Sequence, residues 1–158
     1  QFLEFNSENM DRKYLEKLII DLGTDGPIFA HNALIEINAL SFLVKRKNCI
    51  DLIDTIENLQ SRIIDTAKLF RENFYNVAMM GSYSLKDIIK ILPNASLYSS
   101  ENDQVGDGGD AMIKWFQYTN PNTSDEDKET IRENLTNYCA KDTLNLYLVF
   151  KYFLESHK

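Results

Sequence analysis

Tyr138 and Asp142, four residues apart near the C-terminus, make the sharpest chemical signal in the chain. On a helix, side chains at that spacing are neighbours on one face. The apolar stripe around them runs Ile131, Leu135 and Tyr138, then Leu146, Val149 and Phe153, and Asp142 takes a place on it where a hydrophobic residue belongs. A carboxylate on a core-facing stripe has to be paired, hydrogen-bonded or on a metal, because burying it bare is costly. Taken alone, it could equally pair with a neighbouring lysine, or cap a kinked second half of the helix through Asp142-Thr143. The run Ala30-His31-Asn32-Ala33-Leu34-Ile35-Glu36 is a second candidate. It sits where a strand should end and a helix begin, the usual place for sites in α/β sheets. Its structural alternative is that Asn32 caps the helix and Glu36 complements the helix dipole. His31 alone says little, since a single histidine is more often a hydrogen-bonded structural residue than a ligand. Asp65-Thr66 ends an apolar run, and either faces the same cleft or starts a turn. Gly106-Asp-Gly-Gly-Asp110 fits neither an EF-hand nor a P-loop and reads as a flexible turn. With no Gly-x-Ser-x-Gly, no cysteine pair at zinc spacing and only two histidines, serine-hydrolase and zinc chemistry are disfavoured.

These residues need elements to position them. Asp11 to Leu22 reads as an amphipathic helix with Tyr14, Leu15, Leu18, Ile19 and Leu22 on one side and Gly23 past its end. Pro27-Ile28-Phe29-Ala30 reads as a short buried strand, followed by a helix from about Ala33 to Lys45 with Asn32 as its cap. Asp51 to Ile63 reads as the next helix, and Ile63-Ile64-Asp65-Thr66 as a second short strand with a polar end. Ser84-Leu-Lys-Asp87 opens a short helix that Pro93 closes. Leu97 to Gly109 is polar and glycine-bearing, the best candidate for a mobile loop. Ala111 to Tyr118 is a short helix carrying the only tryptophan. Ser124-Asp-Glu-Asp127 caps a long final helix running to about Glu155, with acidic residues in its first turn where the dipole favours them. Strand, tight connection and helix in succession is the rhythm of an α/β domain, here mostly helical with a small sheet.

Composition bounds the rest. The 158 residues suffice for one ordinary domain, and 44% hydrophobic with 26% charged residues is globular composition. Seventeen Lys and Arg against 24 Asp and Glu give a net charge of −7. Such a chain does not bind nucleic acid by bulk charge, although an enzyme can meet phosphates through metal ions. No apolar run is long enough to cross a bilayer. Cys49 and Cys139 read as free thiols in a reducing compartment, which sets the expected location as cytoplasmic. The chain opens on Gln1, not Met, and has no signal-peptide pattern, so it is expected to be a piece of a longer protein.

Taken together, the motifs resemble the DEDD superfamily of 3′–5′ exonucleases, whose fold is RNase H-like. That family's second motif, His-Asn-Ala-x-Phe-Asp at a strand-to-helix junction, is resembled by His31-Asn-Ala-Leu-Ile-Glu36. Its tyrosine branch carries Tyr-x-x-x-Asp on a late helix, resembled by Tyr138-Cys-Ala-Lys-Asp142. An Asp-Thr at a strand end is matched by Asp65-Thr66, and a Ser-Leu-x-x-Leu-like helix by Tyr83-Ser84-Leu85-Lys-Asp-Ile-Ile. More closely, the chain resembles a bacterial domain-of-unknown-function family whose members often follow a RecB-like nuclease domain. The residues that carry this likeness are Met80-Gly-Ser-Tyr-Ser-Leu85, Gly108 to Ala111 and Tyr138-Cys-x-x-Asp142-Thr143. The resemblance spans most of the chain, each motif weak alone but all in the family's order.

The resemblance implies an RNase H-like α/β fold in which residues 1–158 form the C-terminal part of one exonuclease-like domain. It implies phosphodiester hydrolysis with two Mg²⁺ or Mn²⁺ ions about 3.5–4 Å apart. Asp142 and Glu36 would be metal ligands, Tyr138 would orient the attacking water, and His31, Asn32 and Asp65 would contact substrate. Nucleic acid and the other domains of the parent protein would be the partners. Two departures matter. Glu36 stands where the exonucleases have Asp, moving the carboxylate by about one bond length. The family's first motif, Asp-x-Glu on the first strand, has only Leu3-Glu4-Phe5-Asn6 as a lookalike. The N-terminal strands are therefore expected to be missing, and the chain by itself to be inactive. The alternative is a catalytically degenerate RNase H-like module kept for protein or nucleic-acid contacts. A helical interaction domain with coincidental motifs is the third reading.

Overall fold

The computed structural model describes residues 9–93 and 105–156, and the chain divides after Tyr75 into two compact units. The N-terminal unit opens with α1 (Met10–Leu22), whose stripe buries Leu15 completely. Gly23 ends it at φ 58°, a left-handed conformation that costs glycine little, and its N–H reaches back to the Ile19 carbonyl. Strand β1 (Ile28–Ala30) follows, then α2 (Leu34–Leu43), a 3-10 turn at Ile50–Leu52, α3 (Ile53–Ser61), β2 (Ile63–Asp65) and α4 (Thr66–Asn73). β1 and β2 pair in parallel, with Ile28 opposite Ile63, Phe29 opposite Ile64 and Ala30 opposite Asp65. Both strands are half-buried along their length, less than the buried strand expected for β1.

The core of this unit is Leu15, Leu40, Val44, Cys49, Ile56 and Leu59, contributed by α1, α2, the turn after α2, and α3. Each fully buried Leu or Ile contributes about 1.5–3 kcal/mol over its exposed state. Arg12 ties α1 to the segment before α3. Its two terminal nitrogens meet the Asp51 carboxylate at 2.8 and 2.9 Å, and Nη1 also donates to the Asn48 carbonyl at 2.7 Å. Arg62, just before β2, donates to the carbonyls of Gly23, Asp25 and Gly26, fixing the loop that delivers the chain into β1.

The C-terminal unit contains a 3-10 turn at Val77–Met79, then α5 (Leu85–Ile89), α6 (Gly108–Thr119) and α7 (Asp125–Ser156). α5 and α6 both pack on α7, and Met79, Ile88, Ile89, Leu92, Val105, Ile131, Leu135 and Val149 are buried. The expected capping boxes form. Ser84 Oγ accepts the Asp87 N–H at 3.3 Å, and Ser124 Oγ accepts the Asp127 N–H at 3.1 Å. No helix among the described residues is long and apolar enough to cross a membrane.

Several local expectations are corrected. Asn32 does not cap α2: it lies at φ 67°, and the cap position is Ala33, with no side-chain hydrogen bond. Asparagine tolerates the left-handed region, and here that preference outweighs its capping tendency. The helix expected over Asp51 to Ile63 is split, its first turn 3-10 and its end at Ser61, because Ile63 is taken by pairing with Ile28. Thr66 starts a helix instead of finishing a strand. α5 ends at Ile89, before Pro93. Gly108 to Asp110 is the first turn of α6, not a flexible turn: the Asp107 carboxylate accepts the N–H groups of Gly109 and Asp110 at 2.8 and 3.0 Å. The loop expected over Leu97 to Gly109 lies outside the described residues as far as residue 104.

Candidate functional site

Parallel pairing places the C-terminal ends of β1 and β2 side by side, and the residues that follow each strand meet there. This is the position at which open α/β sheets bind ligands. Asp65, the last residue of β2, caps α4. Its Oδ1 accepts the N–H groups of Ala67 at 2.9 Å and Lys68 at 3.3 Å, and also the N–H of Asn32 at 3.1 Å. The left-handed turn at Asn32 aims that backbone donor across to the second strand. Thr66 is buried, and its hydroxyl donates to the Ala30 carbonyl at 3.2 Å. The same hydroxyl oxygen lies 3.0 Å from His31 Nδ1, a hydrogen bond whose direction follows the ring's tautomer. His31, Asn32 and Asp65 thus come together as the residue pattern suggested. Thr66 is the buried group that locks them, a role that its place beside Asp65 alone did not reveal.

Glu36 stands in the first turn of α2 and is exposed. Its position matches the dipole-complementing role. Burial, and then the charge of Glu36, push the Tyr14 phenol on α1 above its ordinary value, so the Glu36 carboxylate lies within electrostatic reach of that ring.

In the C-terminal unit, α7 runs unbroken through both residues of the Tyr-x-x-x-Asp motif. Tyr138 and Asp142 are both half-buried, and the Tyr138 hydroxyl hydrogen-bonds the Asp142 carboxylate one turn on. Burial first, and that hydrogen bond second, hold the phenol well above its ordinary value. Neither structural alternative for Asp142 is realised among the described residues: no lysine or arginine pairs with it, and the unbroken helix has no second start to cap. The stripe keeps its expected phase through Ile131, Leu135 and Val149 and differs at one position. Asn145, 6% exposed, takes the inward place assigned to Leu146, which is half-buried. Asn145 lies one turn beyond Asp142, so this face of α7 carries two polar groups inward, of which the pattern showed one.

The donor types suit a hard cation such as Mg²⁺ or Mn²⁺, which takes carboxylate oxygens. Their number within either unit does not make a site: among the described residues of each unit, no three His, Cys, Asp or Glu side chains come together. No reaction step is therefore routed through a metal. The two thiols are free, Cys49 buried and Cys139 exposed.

Residues 1–84, more than half of the 158, match the profile of a family described as a domain of unknown function, DUF2779. The chain belongs to this family. The DUF2779 match covers His31, Asn32, Glu36 and Asp65, and so takes in the whole strand-end cluster. Tyr138 and Asp142 lie beyond it. Comparison with curated proteins gave no match, and comparison with solved structures gave none.

Proposed function

We propose that this chain is part of an RNase H-like, 3′–5′ exonuclease-like domain that hydrolyses phosphodiester bonds within a larger, cytoplasmic nucleic-acid-processing protein. The observation that carries the reading is Asp142. It is a half-buried carboxylate on an inward helix face whose described partner is a tyrosine hydroxyl and not a cation. A half-buried carboxylate on a core-facing stripe favours a nearby positive charge, and a metal ion would supply it. The strand-end cluster of His31, Asn32 and Asp65 supports the same reading, because it lies where α/β folds hold their substrates. By the resemblance, Asp142 would be a ligand to Mg²⁺ or Mn²⁺ and Tyr138 would orient water, with Glu36 a further candidate ligand. The test is degradation of end-labelled single-stranded DNA and RNA by the longer protein in Mg²⁺ or Mn²⁺. Asp142→Asn keeps the shape and loses the charge, and should abolish degradation with the circular dichroism spectrum unchanged. Equal activity in wild type and Asp142→Asn would make the carboxylate structural and overturn the proposal.

One observation favours the non-catalytic alternative. Asp65 already serves as a helix cap and Glu36 as a dipole partner, so both carboxylates have structural work without chemistry. A longer protein that binds oligonucleotides but does not degrade them under any divalent metal would establish that reading.

A further inference from the structure

Helix α2 is apolar almost all round, reading Leu-Ile-Glu-Ile-Asn-Ala-Leu-Ser-Phe-Leu. One side is spent on the core through Leu40, followed by Val44 just past the helix end. The other side leaves Leu34, Ile35 and Phe42 each about two-thirds exposed, at 64%, 65% and 64%. Ile35 and Phe42 are seven apart and so lie along one line of the helix. A helix with two apolar faces ordinarily has both covered. This line begins at the strand-end cluster and ends at the Lys45-Arg46-Lys47 turn, a run of three cations in a chain of net charge −7. The Arg46 guanidinium sits 5.3 Å over the Phe42 ring and pairs with Asp11. Lys45 and Lys47 are exposed and have no ion-pair partner among the described residues.

We propose that the outer face of α2, with the Lys45-Arg46-Lys47 turn behind it, is the track along which a single strand of nucleic acid reaches the strand-end cluster. The proposal rests on the nuclease-like reading above. An exposed aromatic ring with a guanidinium held over it is a stacking platform for a base, and the two unpaired lysines beside it fit the phosphates on either side. Charge complementarity selects this occupant. The cations gather at one end of the face, as a backbone leaving the site requires, whereas an anionic lipid surface would meet Glu36 at the other end.

The test is fluorescence anisotropy of the full chain with labelled single-stranded DNA and RNA in EDTA, so that binding is read without cleavage. Wild type should bind with salt-sensitive affinity. Lys45→Ala/Lys47→Ala should lower the slope of log affinity against log salt by about 1.4, from about 0.7 per phosphate contact. Phe42→Ala should weaken binding about tenfold, and Phe42→Leu, which keeps an apolar side chain, should weaken it as well because stacking needs the ring. All of these side chains are exposed, so the melting temperature should stay close to that of wild type. If wild type binds and the variants match it in affinity and slope, the track is wrong while the nuclease-like reading stands. If wild type binds neither oligonucleotide, the track is wrong, and the nuclease-like reading is decided separately by the degradation assay in Mg²⁺ or Mn²⁺. Phe42-dependent binding to phosphatidylserine vesicles without oligonucleotide binding would assign the face to a membrane surface and overturn the proposal.

Discussion

Replacing Asp65 with alanine should separate the architecture of the strand-end cluster from its chemistry. Oδ1 of Asp65 accepts three backbone N–H groups, two in the first turn of α4 and one from Asn32 across the strand end. Losing the cap costs about 1 kcal/mol. Losing the Asn32 bond adds about 0.5–1.5 kcal/mol, the net worth of one hydrogen bond whose exposed donor turns to water. The sum is about 2 kcal/mol, which for a chain of this size lowers Tm by about 4–8 °C. Asp65→Asn keeps an acceptor in place, and asparagine caps as well as aspartate, so it should stay within about 0.5 kcal/mol of wild type. Trp115 is the sole tryptophan and sits on α6, in the other unit, so far-UV circular dichroism is the better reporter. Amide hydrogen exchange at Ala67 and Lys68 gives a local reading, and Asp65→Ala should lose protection at both. An Asp65→Ala variant as stable as wild type would refute the capping argument. An Asp65→Asn variant as unstable as Asp65→Ala would show that the charge matters and the acceptor geometry does not.

Other outcomes follow from the same contacts. The Tyr138 phenol is held above its ordinary value of 10.0, so the folded chain keeps a proton that the unfolded chain releases. Stability should therefore be whole below pH 10 and fall as pH rises beyond it, and Tyr138→Phe should flatten that decline in alkaline urea titrations. Asp87 is held below its ordinary 3.8 by Lys90, Ser82 and Ser84, so its contribution is present above that pH and lost below it. Asp87→Asn should make the acid-side loss of stability shallower in melts taken as pH falls. If the proposed nuclease activity is found and the hydroxyl positions its attacking water, Tyr138→Phe should slow it by about 10²–10⁴-fold. A rate equal to wild type would leave the tyrosine as a packing partner of Asp142.

The features legible in the sequence were those whose causes are local. Ser84 and Ser124 announce their helices because a hydroxyl three residues before an acidic side chain can close its own hydrogen bonds. Gly23 ends α1 for a reason carried in one residue. Tyr138 and Asp142 were found because a four-residue spacing holds on any helix. What was missed depends on distant partners. Whether Ile63 belongs to a helix or a strand is decided by Ile28, and whether Asn32 caps or turns is decided by the Asp65 carboxylate across the strand end. α4 is hard to see in the sequence because Asp65-Thr66 at its start resembles the polar end of a strand, and eight residues with Ala67 and Phe70 as their buried apolar side chains give a short periodic signal. The inward place of Asn145 was missed because an asparagine beside two leucines reads as a surface residue.

The sheet that aligns the strand-end cluster is three residues long and joins positions 35 apart in sequence, from Ile28 to Ile63. Helices α2 and α3, which lie between, can form from nearby contacts, whereas the ladder has to wait until the chain between its strands has been gathered in. The His31–Thr66 and Asn32–Asp65 bonds each join the end of one strand to the other, so they form no earlier than the register does. In time, this end of the unit is completed last. Opening it parts only three residue pairs, but it also lifts Ile28 and Ile63 off the core of Leu15, Leu40, Ile56 and Leu59 against which they pack.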